Sequence, residues 1–156
     1  MVVGCASLSG GHGERTGVAM ADEIGDPNAV GPDGLPAIIV AIEREDMARV
    51  KALIGAGANL EAGGFHEATP ALSAALADNW PMVLVLLEAG ANPNPADQMG
   101  FTLPYLTMTS RVVPSGRYGQ ALNEVRQILN SRGLLEKIMT PDEVKPLVWA
   151  GKWSPR

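Results

Sequence analysis

The side chains with the chemistry for catalysis or metal binding are His12, His66 and the single Cys5. A histidine can act as general base or metal ligand, and a thiolate as nucleophile. Each needs partners within reach. No H-x-x-x-H, Cys-x-x-Cys or Ser/His/Asp spacing surrounds any of the three. Cys5 and His12 fall in a Gly- and Ser-rich opening stretch, and His66 stands between Phe65 and Glu67 in a polar connector. No catalytic, cofactor-binding or metal-binding site is expected from them. At His66, an imidazole that titrates near neutral pH suits contact with a partner. Val2-Val3-Gly4-Cys5 has the form of a bacterial lipoprotein cleavage box, but only Met1 precedes it where charged and apolar stretches are needed. Gly11, Gly13 and Gly17 lack the spacing and the following Gly-Lys-Thr of a phosphate loop.

The elements that carry these residues are set by an internal period. Gly57-Ala58-Asn59 recurs as Gly90-Ala91-Asn92, a shift of 33 in position. At the same shift Ala41 meets Ala74, Val50 meets Val83, Leu53 meets Leu86 and Thr69 meets Thr102. Asp26 meets Asn59 one period back. Each unit has its own start and stop signals. Thr69-Pro70 supplies an N-cap and a proline at the first helical position, opening a short Ala-rich helix over Ala71 to Ala77. Asp78-Asn79 makes a turn, Pro81 opens a second helix, and Gly90 ends it. Asn92-Pro93-Asn94-Pro95 then forces a turn-rich connector.

These residues resemble the ankyrin repeat. Thr69-Pro70-Ala71-Leu72-Ser73-Ala74 stands for its T-P-L-H-x-A signature, and Leu86-Leu87-Glu88-Ala89-Gly90-Ala91-Asn92 for its second-helix ending. Leu53 to Asn59 repeats that ending, while Pro36 replaces the threonine of the first unit. A third unit opens at Gly100-Phe101-Thr102, but its second helix, Ala121 to Ser131, comes ten residues late. The inserted loop is placed at about Ser110 to Gly119. The resemblance implies an all-α, helix-turn-helix solenoid with projecting loops. It divides the chain into a flexible leader (1–20), repeats (21–133) and a C-terminal capping helix with tail (134–156). Met20 competes with Met1 as the initiator. In the last segment, Thr140-Pro141-Asp142-Glu143 is a helix start with a capping box. That helix should run toward Trp149, with Pro146 shortening or bending it. Val144, Leu147 and Val148 form its apolar side, and Trp149 to Trp153 are expected to cover the last apolar face.

The resemblance also implies where a partner sits: on the loop tips and the ends of the first helices, which line a concave face. The matching positions include Asp33, Glu43, Arg44, Phe65, His66, Gln98, Met99 and Phe101. Arg111, Arg117 and Tyr118 in the insert add interface-type side chains. Trp80 occupies a position that opens a second helix, so it is expected in the core.

Charge narrows the partner. The net charge of −5 divides into −9 over residues 1–110 and +4 over residues 111–156, and no Lys or Arg occurs between Lys51 and Arg111. Such an acidic array suits a protein with a basic surface and opposes nucleic-acid binding. One cysteine excludes an intramolecular disulfide framework. No apolar run nears the ~20 residues of a membrane helix. The expected function is therefore a non-catalytic protein–protein interaction module, adaptor or inhibitor, in the cytoplasm, with no cofactor. The alternatives are a structural subunit of a larger assembly, or a small enzyme or ligand-binding protein using the insert and C-terminal segment. Partner identity and oligomeric state are left open by the sequence.

Overall fold

The computed structural model describes residues 25–153. The readings on Cys5, His12, the leader and the choice of initiator lie outside these residues. Among the described residues there are seven α-helices, one turn of 3-10 helix (Phe65–Glu67) and no strand. The helices are α1 (Ala37–Glu43), α2 (Met47–Gly55), α3 (Pro70–Leu76), α4 (Trp80–Glu88), α5 (Leu103–Thr109), α6 (Gly116–Ser131) and α7 (Pro141–Trp149).

Local signals fix the helix starts. The Thr69 and Thr102 hydroxyls accept the backbone N–H of Leu72 and Tyr105, each at 3.4 Å. Asp46 and Asn79 do the same for Arg49 (2.9 Å) and Met82 (3.4 Å). Each such bond satisfies one of the amides that a helix start leaves without a partner.

The sequence period is kept in three dimensions. α1, α3 and α5 begin one period apart, at Ala37, Pro70 and Leu103, and have 7 residues each. α2 and α4 are likewise one period apart, at Met47 and Trp80, with 9 residues each. The base of each connector closes with the same bond: Gly31 N–H to Leu35 O, Gly64 N–H to Ala68 O, and Asp97 N–H to Phe101 O. The end of each second helix closes with Ala58 N–H to Leu53 O and Ala91 N–H to Leu86 O. Connectors also brace one another. Asn59 N–H donates to Asn28 Oδ1 and Asn92 N–H to Glu61 Oε1, both at 2.7 Å.

Each short helix packs on the helix that follows it, and on its counterpart one period away: α1 on α2 and α3, α3 on α4 and α5. α4 packs on α2 and, most extensively, on α6. Ile38, Val50, Leu53, Leu72, Val83, Leu86, Leu103, Val125 and Leu129 fill the core, and Ala71 and Ala74 are small enough to let the short helices approach. Trp80 is fully buried, as expected, and its indole N–H reaches both Asp78 Oδ1 and Ser110 Oγ at 3.0 Å.

Two expectations need correction. The insert is not a loop through Gly119, because α6 already begins at Gly116 and its first turn uses the last four insert residues. Gly119 permits this: a Cβ there would collide with the Val113 and Pro114 carbonyls, so this turn folds tightly over the preceding chain. The irregular part is thus 110–115. Second, of the two tryptophans expected to cover the last apolar face, Trp149 is turned to solvent, whereas the Trp153 indole nitrogen is buried. α7 runs past Pro146 to Trp149, buries Val144 and seats its backbone against the loop at Gly100. Trp149 is 70% exposed. No helix among the described residues is long and apolar enough to cross a membrane.

Candidate partner-binding face

The connector before α3 ends in an exposed tip, Phe65-His66-Glu67. Phe65 is 65% exposed, and His66 and Glu67 both have left-handed backbones (φ +52° and +59°). The next connector ends in Gln98 and Met99, with Met99 40% exposed. The Gln98 N–H donates to the His66 carbonyl at 2.8 Å, so the two tips lie side by side. The bond brings four of the sequence-derived residues, Phe65, His66, Gln98 and Met99, onto one patch. Phe101 is adjacent but half-buried, its ring centroid 6.1 Å from that of Tyr105. Of the two tip aromatics, Phe65 is the one presented to solvent.

The second tip is built by Asp97. Its carboxylate accepts the N–H groups of Met99 and Phe101, both at 2.9 Å, and its side chain is buried. Burial raises the Asp97 pKa above the ordinary 3.8, opposed by those N–H groups and by His66. The aspartate side chain thus closes the turn that carries Met99, a local device that the period alone does not reveal.

The other candidates lie elsewhere. Asp33, Glu43 and Arg44 are exposed on the first unit, where Arg44 borders a groove that includes Val30, Leu35 and Val40. Arg111 is exposed in the irregular 110–115 segment, while Arg117 and Tyr118 lie on the first turn of α6, with the guanidinium 5.4 Å from the Tyr118 ring centroid. Among the described residues no hydrogen bond joins these two groups to the tip patch. The irregular segment is itself anchored, because Ser110 Oγ donates to Asp78 Oδ1 at 2.7 Å.

Two residues absent from the expected set reach the patch. Trp149 donates its indole N–H to the Gln98 carbonyl at 2.9 Å, between residues far apart in the chain. Glu67 lines a cleft with Trp149, Ala96, Gln98 and Val148. A second cleft, of about 370 Å³, lies between the 133–139 segment and α7, with Pro104, Ile138, Leu147 and Trp153 among its walls. His66 lines neither. Among the described residues no group of three or more His, Cys, Asp and Glu is placed to hold a metal ion. A scan of protein-family models finds no match to this chain, and a search of curated proteins finds none.

Proposed function

We propose that this chain is an ankyrin-type repeat array acting as a non-catalytic protein–protein interaction module, an adaptor or an inhibitor. It binds through its loop tips and the adjoining ends of its short helices, which we read as the concave face of a short solenoid. Its period, repeated in helix bounds and in connector hydrogen bonds, supports the repeat reading. The observation that carries the function is the pairing of exposed Phe65 and Met99 on two hydrogen-bonded tips. Aromatic and methionine side chains held at the surface on a fixed frame are the side chains that anchor partners. The partner surface is basic, since residues 52–110 contain no Lys or Arg. A cytoplasmic location goes with this reading.

The test is Phe65→Ala combined with Met99→Ala. Both side chains are exposed, so circular dichroism and the melting temperature should stay within experimental error of the parent. Capture of partners from the native host, read by mass spectrometry, should lose the proteins that the parent retains. An unchanged set of captured proteins at unchanged stoichiometry would refute the tip assignment.

A further inference from the structure

α7 converts one of the two tips into a cleft. Glu67, Ala96, Gln98, Val148 and Trp149 line an open depression of about 400 Å³. Trp149 is exposed but not free to swing, because its indole N–H is held by the Gln98 carbonyl. Lys145 Nζ lies 5.0 Å from the ring centroid, so the ring already attracts a cation of its own chain. The Glu67 carboxylate lies against Gly63, engaged in no hydrogen bond among the described residues, and has to turn from there toward the ring to meet a cation in the cleft.

The period shows that Glu67 is kept there against backbone preference. One period to either side, the same position is Gly34 (φ +76°) and Gly100 (φ +88°). A residue with a Cβ is strained in that region. The array thus places a carboxylate where both neighbouring units place glycine. The surrounding segment, 52–110, contributes carboxylates and no Lys or Arg, which draws a cationic group toward the cleft.

We propose that the Glu67–Trp149 cleft receives an arginine side chain of a protein partner, with the guanidinium stacked on the indole and paired with the carboxylate. Arginine fits better than lysine because its planar group stacks on an aromatic ring and meets a carboxylate with two parallel N–H donors. Phe65 and Met99, brought alongside by the Gln98–His66 bond, then cover apolar residues flanking the arginine. The inference rests on the partner-binding reading above and names the chemistry that the tips recognise.

The test titrates the ¹⁵N-labelled full chain with three blocked peptides, acetyl-Gly-X-Gly-X-amide, where X is Arg, Glu or Leu, up to about 10 mM. The arginine peptide should shift the Trp149 indole N–H and the Glu67 and Gln98 amides, and the other two should not. Glu67→Gln should weaken arginine-peptide binding about fivefold, the size of a partly exposed ion pair. Trp149→Ala should abolish it. Glu67→Gly separates binding from folding: it should weaken binding as Glu67→Gln does while raising the melting temperature, because glycine relieves the left-handed backbone. Equal shifts from the arginine and leucine peptides, no shift at Trp149, or undiminished binding by Glu67→Gln would each overturn the assignment. If Glu67→Gln also leaves host-partner capture intact while Phe65→Ala/Met99→Ala abolishes it, the arginine assignment falls and the loop-tip reading stands.

Discussion

At the scale of single residues, the tip patch depends on Asp97. Its side chain is only 2% exposed and closes the Met99–Phe101 turn through two backbone N–H groups. Burial works against the charged form, so its pKa lies above the 3.8 of an unfolded aspartate. Between those two values the folded chain binds more protons than the unfolded one. The stabilisation from protonation is therefore complete below pH 3.8 and is lost as pH rises through the folded pKa. Asp97→Asn keeps an oxygen for both N–H groups and removes the titration. We expect this variant to be at least as stable as the parent at pH 7, with the difference shrinking as the pH falls toward 4. Urea melts across that range measure it, and a difference that grows in acid would contradict the buried-carboxylate account. The exposure of Phe65 and Met99 was anticipated through the resemblance, which puts both on connector tips. Asp97 and Glu67 were not, since their roles depend on burial and on φ, which composition does not reveal.

At the scale of elements, local signals were legible and distant docking was not. Thr69-Pro70 and Thr140 to Glu143 announced α3 and α7, because a cap acts within three residues of its helix. Glu143 takes both the backbone N–H (2.8 Å) and the hydroxyl (3.1 Å) of Thr140, so this start is closed by its own residues. The early start of α6 was hidden because Gly116 and Gly119 look like loop residues until the carbonyls facing Gly119 are known. The resting place of α7 was hidden for the same kind of reason. It lies on Gly100, whose φ is +88° and whose missing Cβ would collide with the Pro141 carbonyl and the Lys145 nitrogen. Gly100→Ala should therefore cost about 1–2 kcal/mol for the left-handed backbone alone. It should also lift α7 from the loop and break the Trp149–Gln98 bond. Hydrogen exchange across 141–149 should accelerate, and the Trp149 indole N–H should lose its protection, while α3 and α4 keep theirs. Unaltered exchange in α7 would show that the helix is held by something other than this contact.

At the scale of the whole molecule, helix bounds and connector hydrogen bonds recur one period apart, and on the proposed repeat reading each unit is stabilised chiefly by its neighbours. Phase is then the quantity that matters, and it can be tested by deletion. Removing positions 41–73 takes out one full period and joins Val40 to Ala74. The hybrid helix retains Ile38, Ile39, Ala74 and Ala75, all of them buried, on their original side. Asn28 then stands where Glu61 stood, one period away, and can accept the Asn92 N–H as it accepts that of Asn59 in the parent. Asp33 likewise replaces His66 as the carbonyl facing Gln98. The chain loses α2 and the contacts of one unit, so its melting temperature should drop, yet it should unfold in one cooperative step. Removing positions 41–71 instead falls two short of a period and joins Val40 to Leu72. The two extra residues turn every following side chain by about 200° around the helix axis. Leu72 and Ala74 can then no longer share a face with Ile38 and Ile39, and the connector bonds fall out of register. Calorimetry and amide spectra should show a broad transition and poor dispersion for this longer chain, despite its two additional residues. If both deletions fold equally well, local helix propensity rather than the stacking register of the repeats holds the molecule together.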